Sequence, residues 1–290
     1  MTFRPITLDD KKYFEMFDQG YLGCGFLFAL VFVEAAGGKT EVFVSDKMLI
    51  TTNYCCDRRI FYAPLLKNPS DMPKAIAIME EVCAKESSIV DIRCVAVEQL
   101  KYINEAKYEF IINEGSADYI YNASDLINLP GKKYHKKRNH ISRFIRNYPN
   151  HTVREYKETD RETVENLFQK WKSESEHVWD KEEAQFMRVL DHWKELDLKI
   201  AVLHVGDVLA AVSINAIRRD VAYTLFEKAL REFDGAYQVI NQDTAKLFFQ
   251  DLTYVNREED ENNPGLRKSK QSYYPTMMVD KIKVIEKGKQ

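Results

Sequence analysis

Residues 199–229 read KIAVLHVGDVLAAVSINAIRRDVAYTLFEKA. Two apolar runs, 199–205 and 208–217, flank Gly206-Asp207, and a glycine placed first in a two-residue connection fits a tight hairpin. A third run, 221–229, completes an antiparallel meander. Upstream, Thr159-Asp160-Arg161-Glu162 forms a capping box. Behind it Val164, Leu167, Phe168 and Trp171 recur at helical spacing. Asp180 with Glu183 opens another helix, in which Phe186, Val189, Leu190 and Trp193 repeat that spacing. Downstream, 235–250 reads as a helix, 252–257 as a fourth strand, 264–271 as a short helix opened by proline, and 277–285 as a last strand.

The first half follows the same plan loosely. Residues 7–17 read as helix, 42–44, 48–54 and 59–63 as strands, and 70–84 as a helix with Ala75, Ile76, Met79, Val82 and Cys83 on one face. A strand at 90–95, a short helix at 98–106 and an extended run at 119–129 follow. Identity between the halves is absent, so the repeat is one of architecture: two α+β domains, 1–130 and 151–290, joined by a helical segment at 131–150.

With 290 residues, 45% hydrophobic and 30% charged, the chain can bury a core and stay soluble. A net charge of −3 means that only local patches can attract nucleic acid or membrane. The five cysteines are odd in number and contain no CxxC, which argues for reduced thiols in a cytoplasmic protein and against a zinc site. Cys55 and Cys56 are adjacent and would face opposite sides of a strand. The six histidines are scattered, and no metal site is expected. The N-terminus lacks a signal-peptide pattern, and the longest apolar run, 26–33, is too short to span a bilayer.

Two polar segments stand out. Residues 131–146, GKKYHKKRNHISRFIR, hold seven basic residues and no acid. Lys132, Lys136, Asn139, Arg143 and Arg146 share one helical face, with Tyr134, Ile141, Phe144, Ile145 and Tyr148 on the other. Such a face presents charge to a phosphate, and a solvated linker helix is the plain alternative. Residues 254–275, YVNREEDENNPGLRKSKQSYYP, place Arg257, Glu258, Glu259 and Asp260 just past a strand end, where sheet proteins hold their sites. An internal salt-bridge network would account for the same charges.

GxSxG, GxGxxG, a P-loop and HExxH are all absent. The turn at 230–237, LREFDGAY, has one glycine where a coenzyme A pyrophosphate loop would want several.

Three blocks carry a family likeness: LINLPGKKYHKKRNHISRF at 126–144, FEKALREFDGAYQVIN at 226–241, and the 254–275 segment. They resemble bacterial proteins related to the C-terminal domain of phosphatidylglycerol lysyltransferases. The likeness covers most of the chain and is weak before residue 115. It implies two tandem GNAT (acyl-CoA N-acyltransferase-like) domains, each a mixed, mainly antiparallel sheet flanked by helices, similar in fold to the Fem-type peptidyltransferases that use aminoacyl-tRNA. The large membrane domain of the full lysyltransferases is not seen in these 290 residues, which argues against a lipid acceptor.

The resemblance suggests an acyl or aminoacyl transferase that moves an aminoacyl group from aminoacyl-tRNA, or another phosphate-bearing donor, to a lipid or small-molecule hydroxyl or amine. Such an ester is already activated, so no cofactor is required, and acyl-CoA stays open as a donor. Orientation, a base and positive charge at the oxyanion are what remain to be supplied. Glu258, Asp260 or Glu227 is expected as base or amino-group reader, and Tyr273 as proton donor. Asn256, Arg257, Arg267 and Lys270 are expected to hold phosphate or oxyanion, and Lys133, Lys137 and Arg138 the donor's backbone. The rival readings are an acyl-CoA-dependent N-acyltransferase and a non-catalytic module that binds RNA or anionic lipid. On every reading the chain is expected in the cytoplasm, with peripheral contact with the inner membrane face left open.

Overall fold

The computed structural model describes residues 2–55, 58–175 and 181–288. The chain folds as two compact units, residues 1–118, 259–264 and 278–290 forming the first and 119–258 and 265–277 the second. The segment expected to be a linker thus folds with the second unit, and the end of the chain with the first. In chain order the first unit contributes β1 (Arg4–Pro5), α1 (Lys11–Met16), α2 (Phe28–Glu34), β2 (Glu41–Val44), β3 (Met48–Cys55), β4 (Arg58–Tyr62), β5 (Leu65–Leu66), α3 (Met72–Lys85), β6 (Asp91–Val95) and β7 (Tyr108–Ile111). Then come β8 (Asp118–Asn122), α4 (Ala123–Asn128), α5 (His135–Asn147), β9 (His151–Glu155), α6 (Arg161–Glu174), α7 (Glu182–Asp191), β10 (Lys199–Val205), β11 (Val208–Arg218), β12 (Val221–Ala229), α8 (Ala236–Phe248), β13 (Tyr254–Asn256), α9 (Pro264–Gln271) and β14 (Met277–Val279). The last strand, β15 (Ile282–Glu286), returns to the first sheet.

The first sheet runs β1-β2-β3-β4-β6-β15-β7, with β5 beside β3. The second runs β14-β8-β13-β12-β11-β10-β9. Each contains a parallel pair, β4 with β6 in the first and β12 with β13 in the second. The hairpin at Gly206-Asp207 is present: Val205 pairs with Val208, and Gly206 takes φ +59, a value only glycine adopts without steric cost.

In the second unit β11 is buried on both faces. Ala210, Ala211, Ala229 and Ala236 let α8 approach the sheet closely, and Val239, Ile240 and Phe144 fill the remaining space. On α6 and α7, Phe168 stacks on Phe186 at 4.3 Å, and Phe226 of β12 meets Phe186 edge-on at 5.3 Å.

One device recurs in both units. Arg4 clamps Asp10 with both terminal nitrogens, and Asp10 accepts the Thr7 N–H at 2.8 Å. Arg154 clamps Asp160 likewise, and Asp160 accepts the Lys157 N–H at 2.8 Å. The repeat therefore does leave a trace in sequence, an arginine six residues before a helix-capping aspartate.

Four local expectations change. The capping carboxylate before α6 is Asp160, closed on Lys157, rather than the Thr159–Glu162 box. The run at 119–129 is extended only to Asn122 and then coils into α4. The last strand divides at Asp280-Lys281 into β14 and β15. Ile145 is 46% exposed, so the apolar stripe of α5 rests on Tyr134, Ile141 and Phe144. Asp180 and Cys56 lie outside the described residues.

Candidate functional site

In the second sheet the pairing of β12 with β13 covers Val221↔Tyr254, Ala222↔Val255 and Tyr223↔Asn256. There β13 ends, while β12 continues along β11, with Ser213 opposite Glu227. The strands part beyond this point, and Glu227 and Arg257 bridge the opening through a 2.8 Å ion pair whose side chains are only 10% and 11% exposed. Ligand sites form where parallel strands diverge at their carboxyl ends.

The second oxygen of Glu227 accepts from Asn241 Nδ2 of α8 at 3.0 Å. The Arg257 guanidinium lies 5.2 Å from the Tyr273 ring and 6.0 Å from that of Tyr121. Lys137, from the basic helix α5, places Nζ 3.8 Å from the Tyr273 ring centre. Backbone contacts fix Arg257: its N–H donates to Tyr119 O at 3.0 Å, and its carbonyl accepts Lys270 Nζ at 2.6 Å. Asn256, fully buried, accepts the Glu258 N–H at 2.7 Å, which supports Glu258 at φ +56 as the chain turns away.

Burial and the repulsion of Arg257 push the Lys137 ammonium down to about 8, partly offset by Glu227. Burial holds the Tyr273 phenol above its ordinary range, so it stays protonated. The pairing with Glu227 keeps Arg257 charged despite its burial. Among the described residues, Arg257 Nη1, Asn241 Oδ1 and Thr244 Oγ1 are buried without a hydrogen-bond partner. Each such atom costs about 1–3 kcal/mol, so a guanidinium donor and an amide acceptor left idle on the two partners of Glu227, with a hydroxyl idle one turn further along α8, need an explanation.

Of the residues expected from sequence, the fold brings Glu227, Arg257, Tyr273, Lys137, Lys270 and Asn256 to this opening. Asp260 belongs to the first unit, fully buried, and its carboxylate accepts the Asn262 N–H. Lys133 pairs with Asp125 at 3.3 Å. Arg138 donates to the carbonyls of Leu129 and Gly131 and so closes the end of α4. Arg267 is half-buried on α9. Asn241 and Thr244 were not anticipated. Their signal was two polar residues at i, i+3 on the buried face of α8, Asn241 being the last residue of the 226–241 block.

On α5, Lys136, Asn139, His140, Ser142, Arg143 and Arg146 line an open surface depression of about 410 Å³. The turn before α8 carries a single glycine and is tightly packed. Gly235, at φ +97, is packed so that a Cβ there would meet His140 O and Phe144 Cβ at 3.1 Å. The N–H groups of Phe233 and Ala236 are already spent on Leu230 O and Phe233 O. Among the described residues no helix is long and apolar enough to cross a membrane.

Two helix-flanked mixed sheets, each with a parallel pair, define a tandem GNAT-type fold. A solved tandem GNAT protein from the clavulanic acid biosynthesis pathway shares it at TM-score 0.53, 8% identity, over 99% of this chain and 98% of that one. The family model for the phosphatidylglycerol lysyltransferase C-terminal region matches residues 32–284, and the chain belongs to that family. A conserved protein of unknown function from Bacteroides thetaiotaomicron superposes at TM-score 0.90 with 26% identity, over 99% of this chain and 100% of that one. The C-terminal domain of a candidate lysylphosphatidylglycerol synthetase from Agrobacterium fabrum superposes at TM-score 0.72 with 14% identity, over 97% of this chain and 92% of that one.

Proposed function

We propose that the second unit transfers an aminoacyl group from an aminoacyl-tRNA ester to a hydroxyl or amine acceptor. The observation that carries this reading is the pairing of an idle donor, Arg257 Nη1, with an idle acceptor, Asn241 Oδ1, on the two side chains that hold Glu227. An aminoacyl ester presents the complementary groups, a carbonyl oxygen that accepts and an α-amino group that donates. The acceptor attacks the ester carbon, and the negative charge that gathers on the carbonyl oxygen is met by Arg257. Lys137, poised near 8, takes the acceptor's proton in its neutral form and returns it to the departing ribose hydroxyl. Glu227 holds Arg257 and Asn241 in place. The exposed cations Lys132, just before α5, and Lys136, Arg143 and Arg146 of α5 suit the phosphates of the donor's backbone.

Against an acyl-CoA donor stands the single glycine of the 230–237 turn, where a pyrophosphate loop would want several. The test offers total tRNA charged with radiolabelled amino acids, together with a panel of lipid and small-molecule acceptors. Label should move to an acceptor, and Arg257→Met and Asn241→Leu should abolish transfer. Saturable acetyl-CoA binding, with label retained on tRNA at the blank rate, would overturn the reading. Salt-sensitive RNA binding without any product would leave the non-catalytic module in its place.

A further inference from the structure

The first unit contains a buried charged cluster that the proposed chemistry does not use. Lys281, just before β15 and 9% exposed, places Nζ 2.8 Å from Asp118 Oδ1 and in contact with Glu259 Oε2. The same nitrogen is 3.2 Å from Cys24 Sγ, across 257 residues of sequence, and Cys24 is 2% exposed. A short turn, Cys24–Phe26, carries the sulfur, and Asp118 fixes it by accepting the Cys24 N–H at 2.7 Å and facing Sγ at 3.4 Å. The ligand atoms of Cys24, Asp118 and Glu259 lie within 4.8 Å of one another, a spacing that suits a metal, yet Lys281 touches all three. The protein's own ammonium thus takes the place of a cation.

The geometry points to Cys24 and Lys281 as an oxidant-triggered cross-link, in which peroxide joins the sulfur to the lysine nitrogen. Asp118 takes the thiol proton, and the sulfur attacks the peroxide O–O bond. Sulfenic acid forms and one water leaves. Glu259 takes the surplus ammonium proton, and the freed amine attacks sulfur. The S–N bond forms, the S–O bond breaks, and a second water departs. In sum, thiol, amine and hydrogen peroxide give a sulfenamide and two waters, and the electron pair lost by sulfur reduces the peroxide. The Glu259 side chain is 28% exposed, which gives a small neutral oxidant a way in. Two features make the pair more than a buried thiol. The nucleophile is already in contact with the sulfur it would attack, and each proton to be moved has its own carboxylate. The link would stop Cys24 short of sulfinic acid and tie its turn to β15, and a thiol reductant would reopen it.

The intact protein is treated with hydrogen peroxide, digested without reductant and mapped by mass. The expected species is the Cys24 peptide joined to the Lys281 peptide, lighter by two hydrogens than their sum and released by dithiothreitol. In Lys281→Gln the joined species should vanish and Cys24 should proceed to sulfinic acid. The wild-type map alone decides the matter if that variant does not fold. Cys24 recovered as free thiol, as sulfinic acid or as a disulfide, with no joined peptide, overturns the inference.

Discussion

Lys137→Met should stabilise the protein at neutral pH. The ammonium titrates at about 8 instead of 10.5 because it is buried beside Arg257. At about 1.4 kcal/mol per pH unit the full depression would be about 3 kcal/mol on the charged form, and because Lys137 is only half-buried, solvent screening cuts this to about 2 kcal/mol. The cation–π contact at 3.8 Å from Tyr273 returns about 1 kcal/mol, leaving a net gain of about 1 kcal/mol for methionine. The pH dependence gives the sharper signature. Below pH 8 the lysine is charged in both folded and unfolded chains, and the whole penalty stands. Between 8 and 10.5 the unfolded chain keeps the proton that the fold has released, so wild-type stability rises with pH by linkage. Above 10.5 both are neutral and the penalty is gone. Urea unfolding at pH 7 and pH 9.5, read by tryptophan fluorescence, should show the variant ahead at pH 7 and the gap narrowing at pH 9.5. A variant less stable than wild type by the same amount at both values would refute the reasoning, because it would mean that Lys137 carries an ordinary, well-compensated charge.

Arg257→Met leaves Glu227 buried without its cation and should cost about 3–5 kcal/mol in denaturant unfolding, whereas the double change Glu227→Gln with Arg257→Met should recover most of that. Asn241→Leu removes one hydrogen bond and one idle acceptor, so stability should stay within about 1 kcal/mol while transfer is lost. Gly235→Ala forces a Cβ into φ +97 against His140 O and Phe144 and should lower the melting temperature, with a cost of at least about 1 kcal/mol.

The elements legible in sequence were those written in short-range pattern. β12 and α9 fall on the expected residues, and the 206–207 hairpin follows from one glycine. The division of the last strand was hidden because Asp280-Lys281 reads as two ordinary polar positions in an apolar run, whereas in the fold Lys281 is buried between Asp118 and Glu259 at the point where the halves separate. At the candidate site, charge just past a strand end marked Arg257, and a cation on an amphipathic helix marked Lys137. Lys133 and Arg138 carried the same signal, yet they are spent on Asp125 and on the end of α4. Sequence shows which side chains are charged and not which are already matched. Asn241 and Thr244 were missed for the converse reason, since a polar residue in a partly apolar helix registers as a flaw in the pattern. The Cys24–Lys281 contact, 257 residues apart, leaves no local trace.

The two buried clusters differ in the sign of what they leave over. In the first unit Lys281 faces two carboxylates, Asp118 and Glu259, so the surplus is negative. In the second, Arg257 and Lys137 share one carboxylate, Glu227, and the surplus is positive with a guanidinium N–H to spare. Only the second can meet an oxyanion without first losing a partner. The same imbalance depresses Lys137, so the two are linked. An anion bound at Arg257 Nη1 offsets the repulsion and must raise the lysine's pKa, and by reciprocity such an anion binds more tightly when Lys137 is charged. A phosphonate analogue of the tetrahedral intermediate should therefore bind more tightly at pH 7 than at pH 9, and Lys137→Met should erase that slope. Equal affinity at both pH values in the wild type would place the anion away from this pair and remove the electrostatic basis of the transfer site.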